Sequence, residues 1–191
     1  MNQREQQRLA TRNLIYKCAI DLFMARPYDL VKVTDIVSAA GVSVGAFYYH
    51  FASKENIIAE GYRLFDDDLR QMWENADIKP GIDGIEFLIR CQLEDCCRKG
   101  VELTTVYFKN QLSTTNAYLF DKNRYFYQAL LKNVAAVNRT DTPSTNIVDA
   151  ILRSSRGTIY DWCLRKGAYD LVDTGLKEVR IQLKHYKLIQ Q

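Results

Sequence analysis

Residues that interrupt helices are scarce in this sequence, which has three prolines and nine glycines among 191 residues. Proline removes a backbone donor and glycine costs conformational entropy, so their scarcity makes long helices plausible. Alternation of apolar and polar residues, the pattern of a half-buried strand, does not persist anywhere along the chain. We therefore expect an all-α protein with about nine helices.

The sequence also has little that would indicate secretion, membrane insertion or metal binding. Its first residues, MNQREQQRLATRN, are too polar for a signal peptide, and the longest uncharged run, residues 36–53, contains serines, tyrosines and a histidine. The five cysteines form no C-x-x-C pair, and the two histidines have no metal-ligand spacing to them. We expect a cytoplasmic protein with free thiols, no membrane partner, no metal and no cofactor.

Residue patterns typical of enzymes are missing as well. The acidic residues are scattered, and neither histidine has an obvious cysteine or serine partner. There is no glycine-rich loop of the kind that holds phosphates. We therefore do not expect an enzyme.

The charge that is present is unevenly distributed. Residues 1–54 contain seven lysines and arginines and four acids, whereas residues 55–191 contain 19 of each sign, so the whole net charge of +3 lies in the first segment. A local basic excess is typical of a nucleic-acid-binding domain, although an excess this small also arises by chance.

Residues 33–55, VTDIVSAAGVSVGAFYYHFASKE, indicate two short helices joined by a tight turn. Gly41 suits the end of the first helix and Ser43 the start of the second. Phe47 and Phe51, four residues apart, are expected to face the core. Two helices joined through a short turn with a glycine form a helix-turn-helix, whose second helix enters the DNA major groove.

The pattern T-D-I-x-x-A-A-G-V-S-x-G-x-F-Y-Y-H-F-x-S-K-E, preceded by a helix that ends in A-x-D-L-F, resembles the TetR family of bacterial one-component repressors. The resemblance covers roughly the first 55 to 60 residues, and the remainder matches only in layout. It implies a helix-turn-helix DNA-binding domain over residues 1–52 and a helical ligand-binding and dimerisation domain over residues 53–191. The implied function is that of a dimeric repressor that binds a palindromic operator and is released by a small-molecule effector.

The resemblance also implies which residues contact DNA. The side of the second helix that we expect to face the groove consists of Ser43, Val44, Gly45, Ala46, Tyr48 and Tyr49. Among these, the resemblance implies base contacts by Val44, Gly45 and Tyr48. The expected phosphate ligands are Thr34, Tyr49, His50 and Lys54. Because no Arg, Asn or Gln occurs between residues 43 and 49, base reading would depend on thymine-methyl contacts and close backbone approach. Core packing is the alternative for the two tyrosines, and a hydrogen bond to a nearby carbonyl is the alternative for the histidine.

Two positions depart from the family pattern near this motif. Lys32 stands where the family usually has a threonine or serine N-cap, a change that costs about 1 kcal/mol of capping energy. Arg26, Pro27 and Tyr28 replace the usual glycine after the first helix. Both departures affect the expected local turn geometry.

The last two predicted helices, residues 146–165 and a final helix that ends near residue 189, carry apolar stripes. Spacings of four and three residues are suited to packing against a partner helix. The resemblance implies that these helices pair with those of a second copy, and packing against the chain's own core is the alternative. The predicted dimer-interface residues are Ile151, Ser155, Thr158, Val172, Leu176, Val179, Leu183 and Tyr186.

The middle helices have the aromatic and polar composition of a ligand pocket, which is also that of a helical core. The predicted effector-binding residues are Trp73, Cys91, Tyr107, Phe108, Gln111, Tyr125, Gln128 and Trp162. Cys91, Cys96 and Cys97 suggest a thiol sensor as a further possibility. The alternative function is therefore a small-molecule or redox-sensing helical protein without sequence-specific DNA reading.

On the helix predicted over residues 53–76, Asp66, Asp67 and Asp68 are expected on the side away from the apolar stripe.

Overall fold

The computed structural model describes residues 2–113 and 118–190 and contains eight α-helices and no β-strand within them. The helices are Gln3–Ala25 (α1), Val33–Ala40 (α2), Val44–His50 (α3), Lys54–Asn75 (α4), Ile82–Ser113 (α5), Tyr125–Val137 (α6), Ser144–Leu164 (α7) and Leu171–His185 (α8). Two short 3-10 helices lie at Tyr28–Leu30 and Tyr118–Phe120. The prediction of an all-α fold is confirmed. None of the described helices is long and apolar enough to cross a membrane.

The helix α5 consists of two helices joined at Gly100. This residue has φ 75° and ψ 170°, a backbone conformation outside the helical region that glycine adopts without steric cost. The sequence predicts separate helices on the two sides of Gly100, and the structure confirms this break. Counting the two halves separately gives the nine expected helices.

The sequence predicts a helix over residues 117–137, but the observed helix begins later. Within the described residues, α6 starts at Tyr125, and residues 118–124 form a 3-10 turn and a loop, while Ala117 lies outside the described residues. The carboxylate of Asp121 accepts a hydrogen bond of 2.8 Å from the backbone N–H of Asn123. Such local side-chain bonds compete with helix formation, which explains the delayed start.

The chain divides into two compact units, Met1–Gly61 and Tyr62–Gln191, which we call the N-terminal unit and the C-terminal unit. The N-terminal unit contains α1, α2, α3 and the first residues of α4, around a small apolar core. Its most deeply buried side chains include Ile15, Ala19, Ile36, Phe47, Phe51, Ile57 and Ile58. The division of function at residue 52 stays a prediction.

The core of the C-terminal unit contains the stripe that was predicted to meet a second copy. Ile151, Ser155, Thr158, Leu176, Val179 and Leu183 are buried, and Val172 and Tyr186 pack against the same core. The six buried side chains pack within their own chain, as the alternative expects, and the role of the whole set in a dimer interface stays a prediction. The outer sides of α7 and α8 carry other residues.

The placement of the acidic run on α4 also differs from the expectation. Asp67 and Asp68 are exposed, but Asp66 is buried in an ion pair with Arg124 at the start of α6. Asp66 lies four residues after Tyr62 and three before Leu69, so it shares the inward side of α4 with the apolar stripe.

Candidate DNA-binding surface

The turn between α2 and α3 has the geometry of a helix-turn-helix. Gly41 ends α2 in the left-handed region, with φ 63° and ψ 32°, and its N–H donates to the carbonyl of Ser38. Ser43 then begins α3, because its Oγ accepts a hydrogen bond of 3.1 Å from the N–H of Ala46. Phe47 and Phe51 are buried, as expected, and anchor α3 to the core of the N-terminal unit.

The other sides of α3 face solvent. Tyr49 is 71% exposed and Tyr48 is 55% exposed, so neither packs in the core of the N-terminal unit. Ser43, Val44 and Gly45 are also exposed, and Ala46 is half-buried. On α2, Thr34 is exposed in the first turn, where backbone N–H groups without helical partners favour an anion.

Arg12 of α1 fixes the end of α3. Its Nη1 donates to the carbonyl of His50, its Nε and Nη2 contact the Glu60 carboxylate at 3.2 and 2.9 Å, and its guanidinium lies 4.3 Å from the ring centre of Phe51. A bidentate, partly buried pair of this kind sets geometry as well as energy. The end of α3 is therefore fastened to both α1 and α4.

The ring of His50 is half-buried beside two arginines. Desolvation, with Arg12 and then Arg8 adding to it, lowers the pKa of His50 below its ordinary value. The imidazole is therefore neutral at pH 7 and has one N–H to donate. Neither ring nitrogen forms a hydrogen bond with another described residue.

The two departures from the family pattern are compensated by one carboxylate. Asp35 accepts a hydrogen bond of 2.9 Å from the N–H of Lys32, which caps the start of α2 from within the helix. The same carboxylate forms an ion pair of 3.0 Å with Arg26. The residues that replace the usual serine and glycine are thus held by a single acidic side chain.

Lys54 has a structural role that the sequence did not indicate. Its Nζ donates to the carbonyls of Tyr28 and Val31 at 3.0 and 3.4 Å and lies 4.1 Å from the ring centre of Tyr28. The same ring packs on Phe23, and its hydroxyl donates to Glu55. A phosphate would have to share Lys54 with these acceptors.

Sequence reasoning missed a basic face on α1. Arg4 and Arg8 are exposed one turn apart, and Arg8 lines a cleft together with Tyr49 and His50. The four-residue spacing of Arg4, Arg8 and Arg12 was the available signal, because residues at this spacing share one side of a helix.

The predicted effector-binding residues lie in several parts of the C-terminal unit. Trp73 packs on Phe87, with ring centres 5.9 Å apart, and Tyr107 packs edge-on against Tyr62. Trp162 is buried and donates its indole N–H to the carbonyl of Tyr169. These contacts do not bring the aromatic residues into one group.

The remaining members of that set have separate surroundings. Cys91 is buried, Phe108 packs against the main core, and Tyr125 lies under the guanidinium of Arg70. Gln111 accepts a backbone hydrogen bond from Leu119. Gln128 is exposed and donates to the carbonyl of Lys122, so its side chain lies at the surface and not in the interior. Their role in effector binding stays a prediction.

The cysteines of the C-terminal unit are poorly suited to redox sensing. Burial raises the pKa of Cys91 to about 11, and it also raises the pKa values of Cys96, Cys97 and Cys163. The reactive form of cysteine is the thiolate, which these shifts disfavour at neutral pH. The thiol-sensor alternative therefore loses support.

Comparison with known proteins agrees with this geometry. The model of the bacterial regulatory proteins of the tetR family matches residues 15–60, which contain the helix-turn-helix. The HTH-type transcriptional regulator YwcC of Bacillus subtilis is 42% identical over 138 residues, covering 71% of this chain and 59% of that protein. The chain belongs to the TetR family. The relatives that the chain matches are transcriptional regulators by name and not enzymes.

Two further proteins resemble longer parts of the chain. The transcriptional regulator QacR of Staphylococcus aureus is 22% identical over 151 residues, covering 76% of this chain and 70% of QacR. The structure of Thermus thermophilus FadR, a TetR-family repressor in complex with lauroyl-CoA, superimposes with a TM-score of 0.64 over 94% of this chain and 96% of FadR. At 20% identity, the likeness to FadR establishes a common fold. The match to YwcC spans less than two thirds of that relative.

Proposed function

We propose that this TetR-family regulator is a homodimeric repressor that binds a palindromic operator through α3 and releases it when a small molecule binds the C-terminal unit. The main support is the solvent-facing side of α3, whose Val44, Tyr48 and Tyr49 are exposed while Phe47 and Phe51 hold the helix from behind. A single helix-turn-helix makes few contacts, so two copies spaced by one turn of DNA are needed for tight binding.

We assign base reading and phosphate binding to neighbouring residues: Tyr48 contacts bases, and Tyr49 contacts the phosphate backbone of the DNA. We expect Tyr48→Ala to weaken operator binding by about 1–3 kcal/mol more than binding to scrambled DNA, because base contacts carry sequence information. Tyr49→Phe removes one hydroxyl and should weaken the binding of operator DNA and of scrambled DNA alike, by about 1 kcal/mol. The measurement is a fluorescence-anisotropy titration of both duplexes at fixed salt.

Both tyrosines are exposed, so these two variants should keep the fold and provide controls for each other. The assignment of Tyr48 to bases and Tyr49 to phosphates is wrong if each variant lowers the affinity for operator DNA and for scrambled DNA by the same factor. The proposal of operator binding itself fails if the unaltered protein binds both duplexes alike and its affinity does not depend on salt.

The dimer is proposed to form through the outer sides of α7 and α8. Gly157, in the middle of α7, is exposed, and a Cβ at this position would meet no described atom within 4 Å apart from its chain neighbours and the backbone of its own helix. Glycine inside a helix costs about 1 kcal/mol relative to alanine, and no packing against another described element explains its presence here. A close approach by a second helix would use the space at this position. On α8, Ile181 is 55% exposed and lines a surface cleft together with Ser154 of α7.

We expect Ile181→Asp to weaken the dimer by at least about 2 kcal/mol, roughly 30-fold in Kd, because it places a charge at the centre of the proposed interface. Analytical ultracentrifugation over a dilution series measures this change. The matched control is Leu112→Asp, which alters an exposed leucine at the end of α5. Equal dissociation constants for the two variants would reject this interface.

The effector is proposed to bind within the C-terminal unit and to favour a conformation that does not fit the operator. Its differential affinity for the two conformations sets the size of the response. The aromatic residues of this unit favour an apolar or flat molecule over a highly charged one. We also propose a cytoplasmic location, where operator DNA is accessible.

A further inference from the structure

One side of α1 carries a row of three arginines, of which only the last is used to hold the helix-turn-helix. Arg4, Arg8 and Arg12 are each one turn apart. Arg12 is neutralised by Glu60, but Arg4 and Arg8 are exposed and form no ion pair with any other residue that the structure describes. Like charges at this spacing slightly destabilise a helix, so Arg4 and Arg8 do not contribute to folding.

The row of arginines on α1 lies beside the C-terminal end of α3. A cleft of about 230 Å³ is lined by Arg8, Leu9, Arg12, Tyr49 and His50. A second, more open cleft of about 590 Å³ shares Arg8, Tyr49 and His50 and extends along α1 to Arg4.

The lining of these clefts is suited to an anion. Three guanidinium groups and a neutral imidazole lie along them, and all are donors. The acid that lines the larger cleft, Glu5, accepts a hydrogen bond of 3.2 Å from the N–H of Asn2, within the cap of α1. Arg4, Arg8 and His50 all belong to the N-terminal unit, so the clefts are contained in one compact body.

We propose that Arg4 and Arg8 bind backbone phosphates of the operator just outside the groove that α3 enters. The inference rests on the proposed function, because Tyr49 and His50 line the same clefts and are the proposed phosphate ligands at the end of α3. A duplex is the fitting occupant because the larger cleft is open and elongated along α1, so it can follow a strand. The contact would lengthen the footprint without adding sequence information.

The test compares Arg4→Gln and Arg8→Gln with Lys17→Gln in the full chain. Lys17 is an exposed cation on the same helix that lines neither cleft. We expect each arginine variant to reduce the slope of log K against log salt by about 0.9 per protomer, which is a loss of about fivefold per protomer at about 0.15 M salt. The ratio of operator to scrambled binding should stay constant, and Lys17→Gln should leave the slope unchanged.

Different results separate this inference from the proposed function. If the unaltered protein binds its operator with steep salt dependence but the arginine variants keep the same slope, the α1 contact is wrong and operator binding stands. An equal slope change in Lys17→Gln would mean that net charge alone acts, which also rejects the contact. If the unaltered protein does not bind duplex DNA, both proposals fail.

A separate measurement distinguishes a duplex from a free anion. The imidazole resonances of His50 are recorded by NMR with inorganic phosphate alone at constant ionic strength, and then with operator DNA. We expect the resonances to shift with DNA and to remain in place with phosphate, because a single mobile anion lacks the neighbouring contacts of a strand. A saturable shift with phosphate alone would assign the clefts to a small anion and overturn the inference.

Discussion

Replacing Arg124 by methionine is expected to reduce the free energy of unfolding of the C-terminal unit by about 3–5 kcal/mol, because it leaves a buried carboxylate without its cation. Arg124 and Asp66 each expose 4% of their side chains, and they meet in a bidentate pair with distances of 2.6 and 3.1 Å. Asp66→Leu should have a similar cost, since it leaves the guanidinium unpaired.

The surroundings of the pair leave little compensation for a lone charge. The ring centres of Tyr62, Tyr118 and Phe126 lie 5.1–5.9 Å from the guanidinium carbon of Arg124. The Tyr118 hydroxyl donates to Asp66 at 3.1 Å, and burial together with that carboxylate raises the pKa of Tyr118 to about 12. This tyrosine therefore remains a donor to Asp66 at neutral pH but does not neutralise it.

The double variant Asp66→Leu/Arg124→Met should regain most of the loss, because two apolar groups of similar size can replace a buried ion pair at little cost or with a gain. Asp173→Leu/Lys177→Met alters an exposed pair at 2.7 Å and should change stability by less than about 1 kcal/mol. Urea unfolding is followed by tryptophan fluorescence, since both tryptophans, Trp73 and Trp162, lie in the C-terminal unit. Additive losses in the double variant would show that the two charges act independently.

The ion pair illustrates where sequence reasoning reached its limit. Three consecutive aspartates on α4 are individually typical of a solvated face, and composition does not indicate which of them has a buried partner. The period of the helix does distinguish them, because Asp66 falls on the stripe of Tyr62 and Leu69 whereas Asp67 and Asp68 do not. Its cation lies 58 positions further along the chain, and no local pattern encodes a pairing at that distance.

Local signals were sufficient for the helix-turn-helix. Gly41, Ser43, Phe47 and Phe51 each have the conformation or burial that their residue types predict, since caps and short apolar spacings are decided within one or two turns. The apolar stripe on α8 was also recognised from the sequence, but the surface that it packs against was not. A helix with a narrow apolar stripe packs it against whichever surface is available, and Leu176, Val179 and Leu183 pack in their own chain's core.

A methyl group added at Gly84 is expected to destabilise the C-terminal unit by about 2–4 kcal/mol, because it overfills a contact between helices and breaks hydrogen bonds. A Cβ on Gly84 of α5 would lie 1.9 Å from Oδ1 of Asn133 and 2.8 Å from Cη2 of Trp73. Asn133 is buried and cannot move freely, because its Oδ1 accepts from the N–H of Gly81 at 2.9 Å and its Nδ2 donates to the carbonyl of Ala129 at 2.8 Å.

Gly157→Ala is the matched control for Gly84→Ala, because it adds the same methyl group within a helix at a position where no described atom outside its own helix lies within 4 Å. It should leave stability unchanged or raise it by up to about 1 kcal/mol through helix propensity. Both variants are made in the Ile181→Asp background, so that any effect of Gly157 on dimer formation does not enter the comparison. The measurement is the urea midpoint at constant m-value. Equal midpoints for the two variants would mean that α5 and α6 can separate at Gly84 without loss, and the close approach of Gly84 to Asn133 would then have no energetic role.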